Sequence, residues 1–263
     1  MMGDRAAIVG ALLPAVIFAL VALLEIARPR RTLRFGRVAR WRTGLLLAVT
    51  SRAALWLLAW IIAVPAVALW AGSQGVGVFN IIALPLWAEI LASFILLDFA
   101  MWLQHLLTHK VPVLWRLHKV HHADPDLDVS TAIRFHPGEI VFSVFWKIGC
   151  VVMLGVSAPI IIAFEIWLAA NALFNHGNVQ LPRGLDQILR RFLVTPDMHL
   201  VHHSVLVPEQ HSNYGFALTL WDRCFGTYAA ESSLSRDAQA IGLSEQQDAR
   251  PTAIWNSLKM PLT

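Results

Sequence analysis

The histidines are the residues in this sequence whose type and spacing most clearly indicate chemistry. All eleven lie between positions 105 and 211, and eight of them form three tight groups. Residues at positions i, i+3 and i+4 share one face of a helix, so each group presents two or three imidazoles side by side. The groups are His105 with His109, His118 with His121 and His122, and His199 with His202 and His203.

Eight grouped imidazoles are too many for one tetrahedral zinc ion and suit two metal ions with several ligands each. Nitrogen ligands without thiolates are compatible with iron, zinc, copper or nickel. Three more histidines, His136, His176 and His211, stand apart and would raise the number of nitrogens further. A metal-chelating loop is the alternative, but such loops are usually runs of consecutive histidines, whereas these are interleaved with Leu, Val and Trp.

Three carboxylates are placed where they could orient a metal-binding imidazole. Asp98 lies seven residues before His105, on the same helical stripe, and could accept the proton of an imidazole. Glu139 lies within RFHPGE, and Asp197 lies two residues before His199. Either could orient a ligand or cap a helix.

The composition indicates a membrane protein. Of the 263 residues, 57% are hydrophobic and 14% are charged, compared with roughly 25% charged residues in soluble domains. The apolar runs 7–26, 44–70 and 81–103 are each long enough to cross a hydrocarbon core of about 30 Å as a helix. A cleaved signal peptide is the alternative for the first run, but arginines follow it instead of a small-residue cleavage site.

A fourth apolar run, 138–175, has nearly double length and is predicted to form a helical hairpin, because Gly155 and Pro159 interrupt it. Seven of the 21 basic residues lie between Arg28 and Arg42. This loop is predicted to stay in the cytoplasm. Counting the spans onward from it places 104–137 and 176–263, and therefore every histidine, on the cytoplasmic side.

These observations predict an all-α integral membrane helical bundle with a cytoplasmic, histidine-rich cap that holds two metals. The predicted domains are N-terminal transmembrane segments (1–80), a catalytic domain (81–230) and a cytoplasmic or interfacial tail (231–263). A small amphipathic helix on the membrane surface is predicted from Ile254 to Met260. The net charge of +4 comes largely from the arginine-rich loop, so nucleic-acid binding is not expected. The expected location is a bacterial inner membrane.

The order of the histidine groups resembles the fatty acid hydroxylase/sterol desaturase superfamily of membrane-bound histidine-box di-iron oxygenases. Further pieces match in order over residues 90–230: RFHPGE at 134–139, NH at 175–176, TPDMHLVHHS at 195–204, SNYG at 212–215 and LWDRCFGTY at 220–228. Leu106 departs from the pattern, because an arginine often follows the first histidine of the first box.

The resemblance implies two non-haem iron ions, with zinc as a substitute in purified protein, and O2-dependent hydroxylation or desaturation of a membrane lipid. A separate electron donor, ferredoxin-like or cytochrome b5-like with its reductase, would supply electrons. The implied metal ligands are His105, His109, His118, His121, His122, His199, His202 and His203, with His176 as a ninth. His136 and His211 fall near the site, and their ligand status stays open.

A non-redox metal protein is the alternative function. A transporter would carry its ligands within the spans, near the membrane midplane. A di-zinc membrane hydrolase would commonly add a bridging carboxylate, for which the nearest candidates are Asp124 and Asp126.

Overall fold

The computed structural model describes residues 2–59, 63–234 and 239–263, and confirms the all-α prediction. Within these ranges no strand forms, and pairing between extended segments is limited to isolated bridges such as Pro29 with Val179. The helices are α1 (Met2–Ala27), α2 (Arg37–Ala59), α3 (Val64–Ser73), α4 (Val78–Ile81), α5 (Leu86–Lys110), α6 (Pro112–His122), α7 (Pro137–Leu154), α8 (Ala158–Asn175), α9 (Arg183–Leu189), α10 (Pro196–His202), α11 (Val207–Gln210), α12 (Leu220–Cys224) and α13 (Ile254–Lys259). Short 3-10 turns cover Val129–Ile133, Arg250–Thr252 and Met260–Leu262.

The long helices form a bundle suited to a membrane. The segment Val64–Ile81, which contains α3 and α4, and the helices α5, α7 and α8 are each long and apolar enough to cross a bilayer. Large apolar side chains point outward along the bundle, including Leu20, Leu91 and Met153, which are all more than half exposed. An outward-facing apolar surface of this extent is what a lipid environment requires.

The α7–α8 hairpin closes the end of the bundle that lies away from the histidines. Gly155 ends α7 in the left-handed conformation, with φ of 72°, and Pro159 lies in the first turn of α8. A Cβ added to Gly77 would lie 2.2 Å from the backbone nitrogen of Gly155. Glycine is therefore required at position 77, because the two backbone segments touch there.

The histidine-bearing end of the bundle is a folded cap, which we define as the described parts of residues 28–50, 104–136 and 176–263. The predicted single run 44–70 differs from the structure, because α2 ends at Ala59 and a new helix, α3, begins at Val64. The first half of α2 is part of the cap. Leu47 is fully buried there against Val120 and Ala123.

The C-terminal tail also belongs to the cap. Ile254 and Leu258 of α13 pack against the cluster that contains Leu47 and Met260. Arg134 holds this segment by donating from Nη2 to the carbonyl of Pro251 at 2.6 Å. Part of the apolar side of this amphipathic helix thus packs against the cap, while Trp255, which is 70% exposed, stays on the outer face.

Candidate metal centre

Three helices deliver the grouped histidines. His105 and His109 lie on the last turns of α5, and Pro112 then starts α6 after the extended residue Val111. Proline suits the first turn of a helix and stops the preceding one, so the chain turns sharply between the two boxes. In the same way Pro196 opens α10, the short helix that presents the third box.

The structure brings nine histidines together in two adjacent groups. Within each group, one candidate ligand atom from every member lies within 4.8 Å of those of all other members, and every member is buried. The five-histidine group is His105, His109, His118, His122 and His202, and the four-histidine group is His121, His176, His199 and His203. The groups adjoin: the rings of His122 and His203 are stacked with centroids 4.4 Å apart.

The spacing of the nitrogens matches the geometry of a metal site. Two nitrogens that share one metal at about 2.1 Å lie about 3.0–3.4 Å apart. The Nε2 atoms of His105 and His118 are 3.2 Å apart, and His176 Nε2 lies 3.1 Å from His121 Nε2 and 2.9 Å from His199 Nε2. Each group therefore has the dimensions of a coordination shell.

The hydrogen bonds made by the Nδ1 atoms show that the lone pair of each imidazole lies on Nε2. His105 Nδ1 lies 2.8 Å from the carbonyl oxygen of Tyr214, and His118 Nδ1 lies 2.6 Å from Glu139 Oε1. A carbonyl or carboxylate oxygen only accepts, so each Nδ1 carries the proton and each Nε2 carries a lone pair. Two lone pairs that face each other at 3.2 Å repel unless a cation lies between them.

Other imidazoles are oriented in the same way. His176 Nδ1 donates to the carbonyl of Ala172 at 2.7 Å, and His202 Nδ1 donates to the carbonyl of Ser212 at 2.6 Å. Partners of this kind select the tautomer and aim the opposite nitrogen at a metal. Among the described residues, His202 Nε2 and both ring nitrogens of His109 and His122 are buried without a hydrogen-bond partner. Buried polar atoms normally have a hydrogen-bond partner, so this many unpartnered nitrogens in one place is what a metal-binding site would show.

Electrostatics keep these imidazoles neutral at neutral pH. Burial, and secondarily repulsion among neighbouring imidazoles, lowers the pKa of His121, His122, His199 and His203 well below its usual value, and burial lowers the pKa of His176 to about 4 and of His202 to about 3. A neutral imidazole has the free lone pair that a metal ligand needs. The donor set therefore fits nitrogen-preferring divalent metals.

The remaining predicted site residues lie outside both groups. His136 caps the start of α7, where its Nδ1 accepts from Gly138 N. His211 contacts the hydroxyl of Tyr214 through Nδ1 at 3.3 Å, and its ring lies 5.7 Å from that of His109. Neither His136 nor His211 therefore belongs to one of the two candidate metal-binding groups.

The three predicted carboxylates have different environments. Glu139 contacts an imidazole, that of His118. The prediction that Asp98 accepts from an imidazole differs from the structure, because its Oδ2 accepts from Trp221 Nε1 at 2.9 Å. Asp197 forms an ion pair with Arg30, so this carboxylate links the arginine-rich loop to α10.

Two buried side chains that stabilise the site, Asp222 and Arg40, were not predicted from the sequence. Asp222 accepts from Trp102 Nε1, from Thr227 Oγ1 and from the backbone of Tyr214 and Gly215, so it supports the loop whose carbonyl orients His105. The segment LWDRCFGTY, which contains Asp222, matches the family pattern, but the spacing of its residues does not indicate these bonds.

The second of these side chains is Arg40, which is fully buried. Its guanidinium donates to both carboxylate oxygens of Asp124, at 2.7 and 2.8 Å, and also to Asp128. Asp126 accepts from the backbone of Arg34 and Phe35. The acidic loop after the second histidine box is thus held by the arginine-rich segment, and among the described residues no carboxylate joins either histidine group.

Comparison with known proteins identifies the family. A profile of the family described as fatty acid hydroxylase matches residues 90–227. An ornithine lipid hydroxylase from Rhizobium tropici is 30% identical over 145 residues, which cover 55% of this chain and 43% of that protein. Alkylglycerol monooxygenase from Xenopus tropicalis is 28% identical over 175 residues, which cover 63% of this chain and 37% of that protein.

Methylsterol monooxygenase 2-2 from Arabidopsis thaliana is 27% identical over 161 residues, 59% of each chain. The aligned region thus spans less than two thirds of each of these relatives. No solved structure matches this chain. Because the family profile covers more than half of the sequence and includes all nine grouped histidines, the chain belongs to the fatty acid hydroxylase family.

Proposed function

We propose that this protein is a membrane-bound di-iron oxygenase that hydroxylates or desaturates a lipid C–H bond, using O2 and electrons from a separate donor. The observation that carries the proposal is the pair of adjacent, carboxylate-free histidine groups at one end of an apolar bundle. The relatives named above are lipid hydroxylases and monooxygenases, which supports a lipid as the substrate class.

The metals would be held by the five-histidine and four-histidine groups, one ion in each. When bound, two iron ions would supply the reductive activation of O2 with two electrons from the donor; in a hydroxylation one oxygen atom would enter the substrate and the other would leave as water, and in a desaturation both would leave as water. The protein's own part is to aim the imidazoles. The carbonyls of Tyr214, Ala172 and Ser212 and the carboxylate of Glu139 each hold one Nδ1 proton.

The cap is proposed to lie on the cytoplasmic side of a bacterial inner membrane. The seven arginines between Arg28 and Arg42 support this orientation. A separate donor, ferredoxin-like or cytochrome b5-like with a reductase, would reach the cap from the cytoplasm. A di-zinc hydrolase is less well supported, because Asp124 is bound to Arg40 and does not bridge the histidine groups.

Metal content tests the dinuclear proposal. Protein purified after growth in iron-supplemented medium is expected to hold close to two metal ions per chain, measured by elemental analysis against amino-acid quantification. Zinc in an overexpressed sample would not contradict the dinuclear site, since zinc binds nitrogen sites more tightly than ferrous iron. A stable stoichiometry of one ion per chain would contradict it.

A further inference from the structure

A cavity of about 400 Å³, open to the outside of the bundle, lies between α2, the start of α3, α7 and α8. Its apolar walls include Leu55 and Trp56 of α2, Pro65 of α3 and Val144 of α7. Three charged side chains also line it: Arg52, Lys147 and Glu165. Charged groups at the level of the membrane spans are costly and usually mark a function.

One end of the cavity adjoins the histidine cap. Ser51, the neighbour of Arg52, lies 3.4 Å from the carbonyl of Phe135, and the Phe135 ring stacks on His121 with centroids 4.5 Å apart. On α7, the lining residue Ile140 directly follows Glu139, the residue that contacts His118.

The other end of the cavity lies deeper in the bundle. Lys147 follows Glu139 by eight residues, which is about 12 Å along a helix. The cavity therefore runs from the metal-ligand level at Ile140 into the membrane-spanning part of α7.

The charges in the cavity do not balance. Lys147 Nζ pairs with Glu165 Oε1 at 2.6 Å, which leaves the guanidinium of Arg52 without an ion pair or hydrogen bond to any other residue that the structure describes. Arg52 is exposed and lines the cavity. An excess positive charge beside apolar walls is complementary to an amphiphile with an anionic head and a hydrocarbon tail.

We propose that this cavity binds the anionic head group of a lipid, a carboxylate or a phosphate, on Arg52, and that the tail of the lipid lies along Trp56 and Val144. The proposal rests on the proposed function in one respect: it takes the bound lipid to be the substrate of the metal centre. Binding itself requires no turnover and can be measured separately.

The test uses Trp56, which is 66% exposed and lines the cavity, as a reporter. Full-length protein in neutral detergent is titrated with three brominated lipids: a fatty acid, a phosphatidic acid and an uncharged monoacylglycerol. The difference between wild-type and Trp56→Phe fluorescence isolates quenching at Trp56. We expect saturable quenching, with one of the anionic lipids binding at least about tenfold more tightly than the uncharged lipid.

Arg52→Gln is expected to remove that preference, whereas Arg116→Gln, a change at an exposed arginine on α6, should leave it intact. The stronger of the two anionic probes identifies the source as carboxylate or phosphate. Equal quenching by all three lipids, or an unchanged preference in Arg52→Gln, would overturn the proposal. Anionic binding at Trp56 without any oxidised product would instead count against the proposed oxygenase activity.

Discussion

Replacing His202 or His121 by alanine is expected to abolish lipid oxidation and to remove metal from the protein. His202 belongs to the five-histidine group and His121 to the four-histidine group, so each substitution removes one nitrogen from a different candidate shell. Both residues are completely or almost completely buried. Turnover should fall beyond the ~10–100-fold that loss of an orienting residue usually costs.

His211→Ala is the matched control for these two variants. The His211 ring is close to that of His109, but its Nδ1 faces the hydroxyl of Tyr214 and it lies outside both groups. This variant should keep most of its metal. Metal analysis and lipid-product analysis on the three variants, each checked for folding by circular dichroism, measure the difference. If folded His211→Ala loses as much metal as His202→Ala, the division between ligands and neighbours is wrong.

Replacing Arg40 by methionine is expected to destabilise the cap severely. The guanidinium is completely buried and neutralises Asp124 and Asp128, which are buried as well. Burial alone would raise the pKa of the Asp124 carboxyl, but the Arg40 charge and hydrogen bonds hold it below its usual value. Removing one partner of a buried ion pair leaves uncompensated charge, which costs about 3–5 kcal/mol.

Thermal unfolding in detergent, followed by metal analysis, measures this effect. The loop that Arg40 holds begins directly after the second histidine box, so loss of the ion pairs should also loosen His121 and His122 and lower metal retention. Arg42→Met is the control, because Arg42 is exposed on the same helix. Equal melting temperatures and metal contents for Arg40→Met and wild type would show that the buried cluster does not support the site.

The sequence predicted the parts of this molecule that depend on short-range periodicity. Histidines three and four residues apart lie on one helix face, and such faces do meet in the structure. Glycine and proline at 155 and 159 end one helix and start the next. The family profile confirms the resemblance that the order of these motifs suggested.

The parts that the sequence did not predict depend on contacts between distant segments. Arg40 meets Asp124, which lies 84 positions further along the chain, and Asp98 meets Trp221, which lies 123 positions further along. In the sequence, Arg40 is one of seven arginines that predict a cytoplasmic loop. Its neighbours along the chain do not indicate that it alone among the seven is buried. Helical spacing placed Asp98 correctly on the stripe of His105, yet the indole of a remote helix occupies the position expected for an imidazole.

The most direct test of the central claim is the origin of the oxygen atom in the product. Purified, iron-loaded protein is incubated with a chemical or protein reductant, a lipid extract from the expression host and O2 labelled with oxygen-18, and the lipids are analysed by mass spectrometry. A lipid oxygenase of this kind is expected to yield hydroxylated lipids that carry one oxygen-18 atom, or lipids with a new double bond that form only when O2 is present, and to yield neither when His202 is replaced by alanine. Parallel samples are run in oxygen-18 water and without O2. Label that enters only from water, with equal product in the absence of O2, would identify a hydrolytic reaction and contradict the oxygenase account.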